Sequence, residues 1–568
     1  MNKDIKGTKK NRITNPQLAY AFLFLTAFAI RFFGSHKLPI NSYEASILLK
    51  IAGRTPIYPE GFSIIESLLI KSSFFVFGDS DLSARIWPII AGSILTLFPL
   101  YLGKRLNNKS GVMLSLFIAI DPFMVVNSIQ LGSNIFTFLA FVFLIGAIRK
   151  RDVFTGILTL ILLIFSGRGV MLAVVFGTAF LVYQKVHEGN LIKNFINKSK
   201  EWWKKSNVFQ FPKYLIIGLL LALVIALFKI DISLILSDLI NNLGYLTRGY
   251  KMGESPITFG VVLISYLPFY LALLLYWLIN LLNKGKRQES ILLLWITIAL
   301  LFITINPHHK VFDLLWISGP LLLYSSLIIP IIIQRSNVNN SSDLIRILFF
   351  LILLIALSMN FSSYIYQGFT GLSQFQTLIS IIAILILIAA FVIFLTYQYN
   401  IKHSFMSLIN AALILLFVVQ VGFSFRASGL SGSRYSEVLW AGDIFDKQII
   451  QNQIESKKQT REFTSDVIRI GLINLQEPGI LWELRSYDVK SFKKFLKPNE
   501  KFDILISQTD FVEGTMEKYY GQKFIINAFP KWSIEPIKSF WLYDYWSWLI
   551  FRKSQMHKSF NYIWVNEE

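Results

Sequence analysis

The 568-residue chain contains no cysteine. That excludes a disulfide framework, a thiol nucleophile and any cysteine-ligated metal centre. Charge is also scarce: 16% of residues are charged, against roughly 25% in a soluble globular domain. The six histidines are scattered apart from His308–His309, so no histidine metal cluster is expected. Neither a glycine-rich phosphate cradle nor a G-x-S-x-G nucleophile turn occurs. The basic N-terminus leads into an apolar run that lacks a small-residue cleavage site, which reads as a retained helix rather than a cleaved signal. No internal repeat is visible, and the only low-complexity stretch is the SNVNNSS link near 336–342.

What the chain has in abundance is apolar surface. Hydrophobic residues make up 54% of it and aromatics 15%, with a mean hydropathy of +0.54. Apolar runs of about 18 or more residues recur, as membrane-spanning helices require. The fold class expected is an α-helical polytopic membrane protein. Spans are expected near 18–33, 83–103, 111–127, 134–148, 153–166, 169–184, 214–229, 257–282, 290–305, 312–334, 343–359, 376–398 and 404–425, about thirteen in all. The net charge of +21 is spread over loops and tail, a pattern that suits anionic headgroups rather than nucleic acid.

Charge bias orients this plan. Residues 1–16 are basic and are placed in the cytoplasm. Counting spans from there puts Lys104/Arg105/Lys109, Arg149/Lys150/Arg151 and Lys284/Lys286/Arg287 on the same side. The 185–213 segment falls there too; its seven lysines and Trp202–Trp203 predict an amphipathic helix on the cytoplasmic leaflet. The opening loop, 34–82, then lies outside, as do the 230–256 loop and the tail. The transmembrane domain is expected over 17–425, and an extracytoplasmic α/β domain over 426–568. Within that tail 440–457 and LWELRSY read as helical, while 467–473, 502–507 and 523–529 read as strands. The aromatic run at 540–552 suits a sugar-binding or interfacial face, or a core helix.

Candidate chemistry gathers at the outer ends of spans. The opening loop carries Glu44, Glu60, Glu66, Asp79 and Asp81. Ionisable groups beside a bilayer are functional candidates by default. With Arg85, Asp121, Arg168, His308, His309 and Lys310 they put carboxylates and cations on one face. A carboxylate can activate or orient a hydroxyl, and cations can hold an anionic phosphate. A solvated loop and snorkelling span ends are the bland alternatives.

The order of these parts resembles the GT-C superfamily of polyprenyl-phosphate-dependent glycosyltransferases, and within it the protein mannosyltransferase and aminoarabinose transferase branch. INSYEAS resembles the acidic pair of the family's first outer loop, with Glu44 at the Glu and Tyr43 replacing the Asp. IYPEGFSIIESLLIKSSFFVFGDSDLSARIWPIIAGSIL resembles the segment leading into the second span, with Arg85 at the family's Arg. IDPFMVVNSIQLGSN resembles the next outer loop, where Leu131 and Asn134 stand at places that relatives often fill with Arg and Asp. NPHHKVFDLLWISGPLL resembles the outer basic-aromatic element. The likeness spans about residues 17–335.

The resemblance implies a membrane glycosyltransferase that moves a sugar from a polyprenyl-phosphate donor to a protein, lipid or glycan hydroxyl at the outer face. It implies Glu44 as catalytic base or orienter, with Glu60 or Asp121 as alternative acids. Lys310 would contact the lipid phosphate, with Arg85, Arg168, His308 and His309 near it. No cofactor or divalent metal is implied. The incomplete acidic pair leaves open a catalytically degenerate scaffold of the same fold. A transporter or flippase of lipid-linked glycans is the other alternative, although the repeated halves and broken helices of transporters are not apparent.

Overall fold

The computed structural model describes residues 15–54, 63–102, 107–179 (save 133, 151, 168, 169 and 171), 256–284, 290–305, 310–336, 341–366, 372–431, 437–440, 446–460, 468–492, 502–510, 519–534 and 543–566. The expected span at 214–229 and the amphipathic segment at 185–213 lie outside the described residues.

The chain is a multi-pass α-helical membrane protein carrying a C-terminal sheet domain. Among the described residues six helices are long and apolar enough to cross a bilayer, or up to eight if each of two bent pairs is one span. Three shorter apolar helices, 135–148, 154–164 and 292–302, stand where further spans are expected. The helices that matter for the site open the chain. They are α1 (Asn15–Lys37), α2 (Ser42–Ile51), α3 (Ile64–Phe77) and α4 (Asp81–Ile94), the last running on through a short 3-10 turn to Leu102. Helices α2 and α3 are too short and too interrupted to span; they form the loop between the first two spans.

The third span is broken. Helix α5 (Asn108–Ile120) and helix α6 (Pro122–Ile129) meet at 56°. Pro122 cannot donate the hydrogen bond that would continue α5, and Asp121 accepts from the Met124 N–H at 2.8 Å to start α6 afresh. Arg31 of α1, fully buried, donates to the freed carbonyls of Ile118 at 3.0 Å and Ala119 at 3.3 Å. Backbone left unpaired inside a bilayer costs several kcal/mol per group, so Arg31 and Asp121 repair the two ends of one break. A second break, of 94°, falls between Tyr266 and Pro268. After α6 a turn at Leu131–Gly132 leads into α7 (Ile135–Lys150). Among the described spans, those at 342–366 and 373–398 are the least buried, so most of their apolar surface is left to face the bilayer.

In the tail a five-stranded sheet contains β1 (Arg469–Ile473), β2 (Asp488–Phe492), β3 (Ile504–Ser507), β4 (Tyr519–Pro530) and β5 (Met556–Asn566), in the order β2-β1-β3-β5-β4. β1 pairs in parallel with β2 and β3, while β5 runs antiparallel to β3 and β4. Helices α8 (Lys447–Thr460) and α9 (Pro478–Glu483) pack on it through Ile450, Ile454, Ile480 and Leu484. Within the aromatic run, Tyr543–Phe551 is helix α10, and two of its rings are core: Tyr545 is buried, and Trp548 is fully buried against Trp532 and Tyr266.

Candidate functional site

Glu44 and Arg85 form one closed node. Asn41 caps α2 by accepting from the Glu44 N–H at 2.7 Å, and the Glu44 carboxylate accepts the Asn41 N–H at 3.0 Å. This is a reciprocal capping box, and the N-x-x-E spacing provides it locally. Arg85 Nε donates to Glu44 Oε1 at 2.9 Å, and its Nη2 donates to Oε2. The remaining guanidinium N–H groups donate to the carbonyls of Ser35 (3.1 Å), Leu38 (2.7 Å) and Pro39 (2.8 Å). Neither side chain has any exposed surface. A bidentate guanidinium–carboxylate pair of this kind tolerates burial because every donor is met.

The node reaches the α6–α7 turn. Leu131 N–H donates to Glu44 Oε1 at 3.0 Å, and the next amide, Gly132 N–H, donates to both oxygens of Glu66 at 2.9 and 3.0 Å. Two carboxylates on two helices thus hold two successive amides. Gly132 sits at φ +65°, and a Cβ there would come within 2.6 Å of Ile47 and 2.7 Å of Tyr43. Only glycine takes this turn so close to α2. Among the described residues Gly132 is the one hydrogen-bond donor to the Glu66 carboxyl, which is nearly fully buried. Burial pushes that carboxyl up to about 8, the Gly132 hydrogen bond opposes the shift, and the charge of Glu44 adds to it.

Lys310 joins from a distant part of the sequence. Its ammonium lies 4.1 Å from the centre of the Tyr43 ring, and its backbone N–H donates to Asp313 at 2.9 Å. The other Asp313 oxygen accepts from the Asn134 side chain at 2.7 Å. Tyr43, Glu44, Glu66, Arg85, Leu131, Gly132, Asn134, Lys310 and Asp313 are therefore linked in one neighbourhood by these contacts. The α6–α7 turn is the hub.

Of the residues singled out in the sequence, Glu44, Arg85 and Lys310 are brought into this neighbourhood. Asp121 stands at the broken span as a helix cap. Glu60, Arg168, His308 and His309 lie outside the described residues. The sequence singled out neither Asp313 nor Arg31, and Glu66 only as one acid of the opening loop. An arginine inside an apolar run was the available signal for Arg31; Asp313, three residues after Lys310, carried none. Among the described residues no cluster of three or more histidine or acidic side chains could hold a metal ion.

The C-terminal domain closes over this region. Trp482 of α9 is buried among Ile40, Ala45, Leu48, Ile70 and Leu131, and its indole N–H donates to Asp81 at 3.1 Å. A second tie is buried at the other break. Arg552 donates to Glu437 at 2.7 Å, and the Tyr266 hydroxyl donates to the same carboxylate.

No protein-family model matches the chain, and no curated protein matches its sequence. Solved structures that match it include two GT-C superfamily members. ArnT from Cupriavidus metallidurans in the apo state matches at a TM-score of 0.48 and 10% identity, over 87% of this chain and 93% of that one. The same protein bound to undecaprenyl phosphate matches at 0.46 and 9%, over 86% and 93%. The archaeal oligosaccharyltransferase AglB from Archaeoglobus fulgidus, in complex with an inhibitory peptide and a dolichol-phosphate, matches at 0.40 and 12%, over 86% and 69%.

Proposed function

We propose that this protein is a membrane glycosyltransferase that moves a sugar from a polyprenyl-phosphate donor to an acceptor hydroxyl at the outer membrane face. The observation that carries this reading is that four separate segments bring Glu44, Glu66, Arg85 and Lys310 into one neighbourhood, Glu44 and Glu66 on the turn, Arg85 on Glu44 and Lys310 on Tyr43. In the proposed reaction the bond between the sugar's anomeric carbon and the phosphate oxygen breaks, and the acceptor oxygen forms the new bond. The hydroxyl proton passes to a carboxylate, and the polyprenyl phosphate leaves as the anion. Lys310 faces the phosphate, where an ammonium stabilises the charge that develops on the leaving oxygen. The Glu44–Arg85 pair fixes α2 and the turn. Basic loops on the opposite side support an outer location for the site.

A scaffold without catalysis is the second reading, and one observation favours it. Glu44 already accepts four N–H groups and has no exposed surface, so it has little capacity left to take a proton.

Transfer of labelled sugar from a panel of polyprenyl-phosphate sugars, by purified wild type and Lys310→Gln, separates the two. Losing one charge-assisted contact of about 1.5–3 kcal/mol is worth roughly tenfold to hundredfold. Lys310→Gln is therefore expected to raise the KM for donor by about that factor. Wild type that binds the lipid and transfers nothing across the panel would establish the scaffold.

A further inference from the structure

The C-terminal domain is more than a cover. We propose that its helix α9 is a built-in part of the membrane-domain site, with Trp482 as the positioning residue that fixes α2, and so Tyr43 and Glu44, in place. This rests on the glycosyltransferase reading only for its kinetic consequence; the structural claim stands apart from it.

Three sets of contacts argue for it. First, Trp482 is 1% exposed although it belongs to the sheet domain's helix α9, because it is inserted into the cluster built from α2, α3 and α4. That cluster includes Ala45, next to Glu44, and Leu131, whose amide binds the Glu44 carboxylate. The indole also stacks on Phe74 of α3 at 6.1 Å. Second, its polar edge is matched. Asp81 accepts the indole N–H with one oxygen and Lys447 Nζ with the other, at 3.1 and 3.0 Å. Asp81 begins α4, the helix that carries Arg85. Third, the rim is tied on both sides. Arg485 lies over the Trp482 ring at 4.1 Å and donates to the Asp79 carbonyl at 2.7 Å. Ser42, the first residue of α2, donates to Glu477, the residue that precedes α9.

The physical need is plain. Helix α2 has 10 residues and is not a membrane span. An isolated helix shorter than about 12–15 residues is marginal in water. Its capping box holds only its first turn, so its register depends on what packs over it. Among fully desolvated contacts a buried aromatic with its polar edge satisfied is the strongest anchor available.

Because the chain has no cysteine, one introduced thiol reads the position of α2 without background. Ala45 is fully buried, so in Ala45→Cys the thiol is expected to react slowly with maleimide in detergent-solubilised full-length protein. Adding Trp482→Ala is expected to speed labelling by about tenfold or more, as local opening becomes easier. Trp482→Phe, which keeps a ring in the cluster and loses the indole N–H, is expected to stay within about threefold of the parent. Should Trp482→Ala fail to give monodisperse protein, Lys447→Ala with Arg485→Ala removes the rim contacts and leaves the core intact. That pair is expected to speed labelling by about threefold or more. An unchanged rate in Trp482→Ala, or in the rim pair where it has to stand in, overturns the proposal. In transfer assays kcat should fall in Trp482→Ala and recover in Trp482→Phe. Equal kcat in the two variants would also overturn it. If wild type transfers nothing, the glycosyltransferase reading fails while the labelling rates still decide the role of Trp482.

Discussion

Replacing Glu44 by glutamine tests the closed node most directly. The change keeps the shape and removes the charge. The carboxylate accepts four N–H groups, two at each oxygen: Arg85 Nε and Leu131 N at Oε1, Arg85 Nη2 and Asn41 N at Oε2. A carboxamide has one oxygen and one NH2, so either orientation sets its NH2 against two donors. It also leaves the Arg85 charge, with no exposed surface, without a counter-charge, its N–H groups met by three backbone carbonyls and the one amide oxygen. Breaking one side of a buried pair costs about 3–5 kcal/mol. Glu44→Gln is therefore expected to lose stability on that scale, read by equilibrium unfolding in mixed micelles. Adding Arg85→Met removes the stranded charge, so the double variant should recover part of the loss, with a coupling of about 0.5–3 kcal/mol. Stability within about 0.5 kcal/mol of wild type in Glu44→Gln, or strict additivity in the double variant, would refute the node and leave Glu44 open to substrate.

Two further substitutions probe the turn that the node holds. With the Glu66 carboxyl raised from 4.5 to about 8, the folded protein binds more protons than the unfolded chain across that window, so stability should fall as pH rises through it. Glu66→Gln, which mimics the protonated form, is expected to flatten that slope in unfolding measured at stepped pH; an unchanged slope would mean that Glu66 is ionised in the fold. Gly132→Ala meets Ile47 and Tyr43 at 2.6–2.7 Å and places a side chain at φ +65°. It is expected to cost about 1–3 kcal/mol in the same unfolding assay, and a neutral result would show that the turn relaxes.

Much of the membrane architecture was legible because it follows from local chemistry. Apolar runs announce helices. Pro122 and Pro268, read for their missing N–H groups, mark both breaks, yet the expected spans ran straight through them. Strands are expected at 467–473, 502–507 and 523–529, and β1, β3 and β4 fall on them, whereas β2 and β5 are not expected. β5 lies beyond the aromatic helix and pairs with β3 and β4, strands far from it in sequence. Glu44 and Arg85 were both singled out, but not their pairing. They lie 41 positions apart, and what brings them together is α3, which packs on both α2 and α4. The Asn41-x-x-Glu44 capping box was present locally, and it points to a structural task for Glu44 that the chemical reading passed over. Asp313 became visible only when the fold set it beside Asn134.

The distribution of charge at the turn constrains how such a site could divide its work. Glu44 and Arg85 neutralise each other, and their hydrogen bonds are taken up within the fold, so they suit holding rather than reacting. Glu66 differs. Two carboxyl oxygens share a single described donor, the Gly132 N–H, and burial pushes the group up to about 8, so it is not committed to an ion pair as Glu44 is. Lys310 differs too, since its half-buried ammonium is set on the Tyr43 ring rather than inside the node. On the proposed reading, carboxylate and ammonium chemistry would fall to different residues near the 131–132 turn, while the buried ion pair between α2 and α4 holds α2 in place.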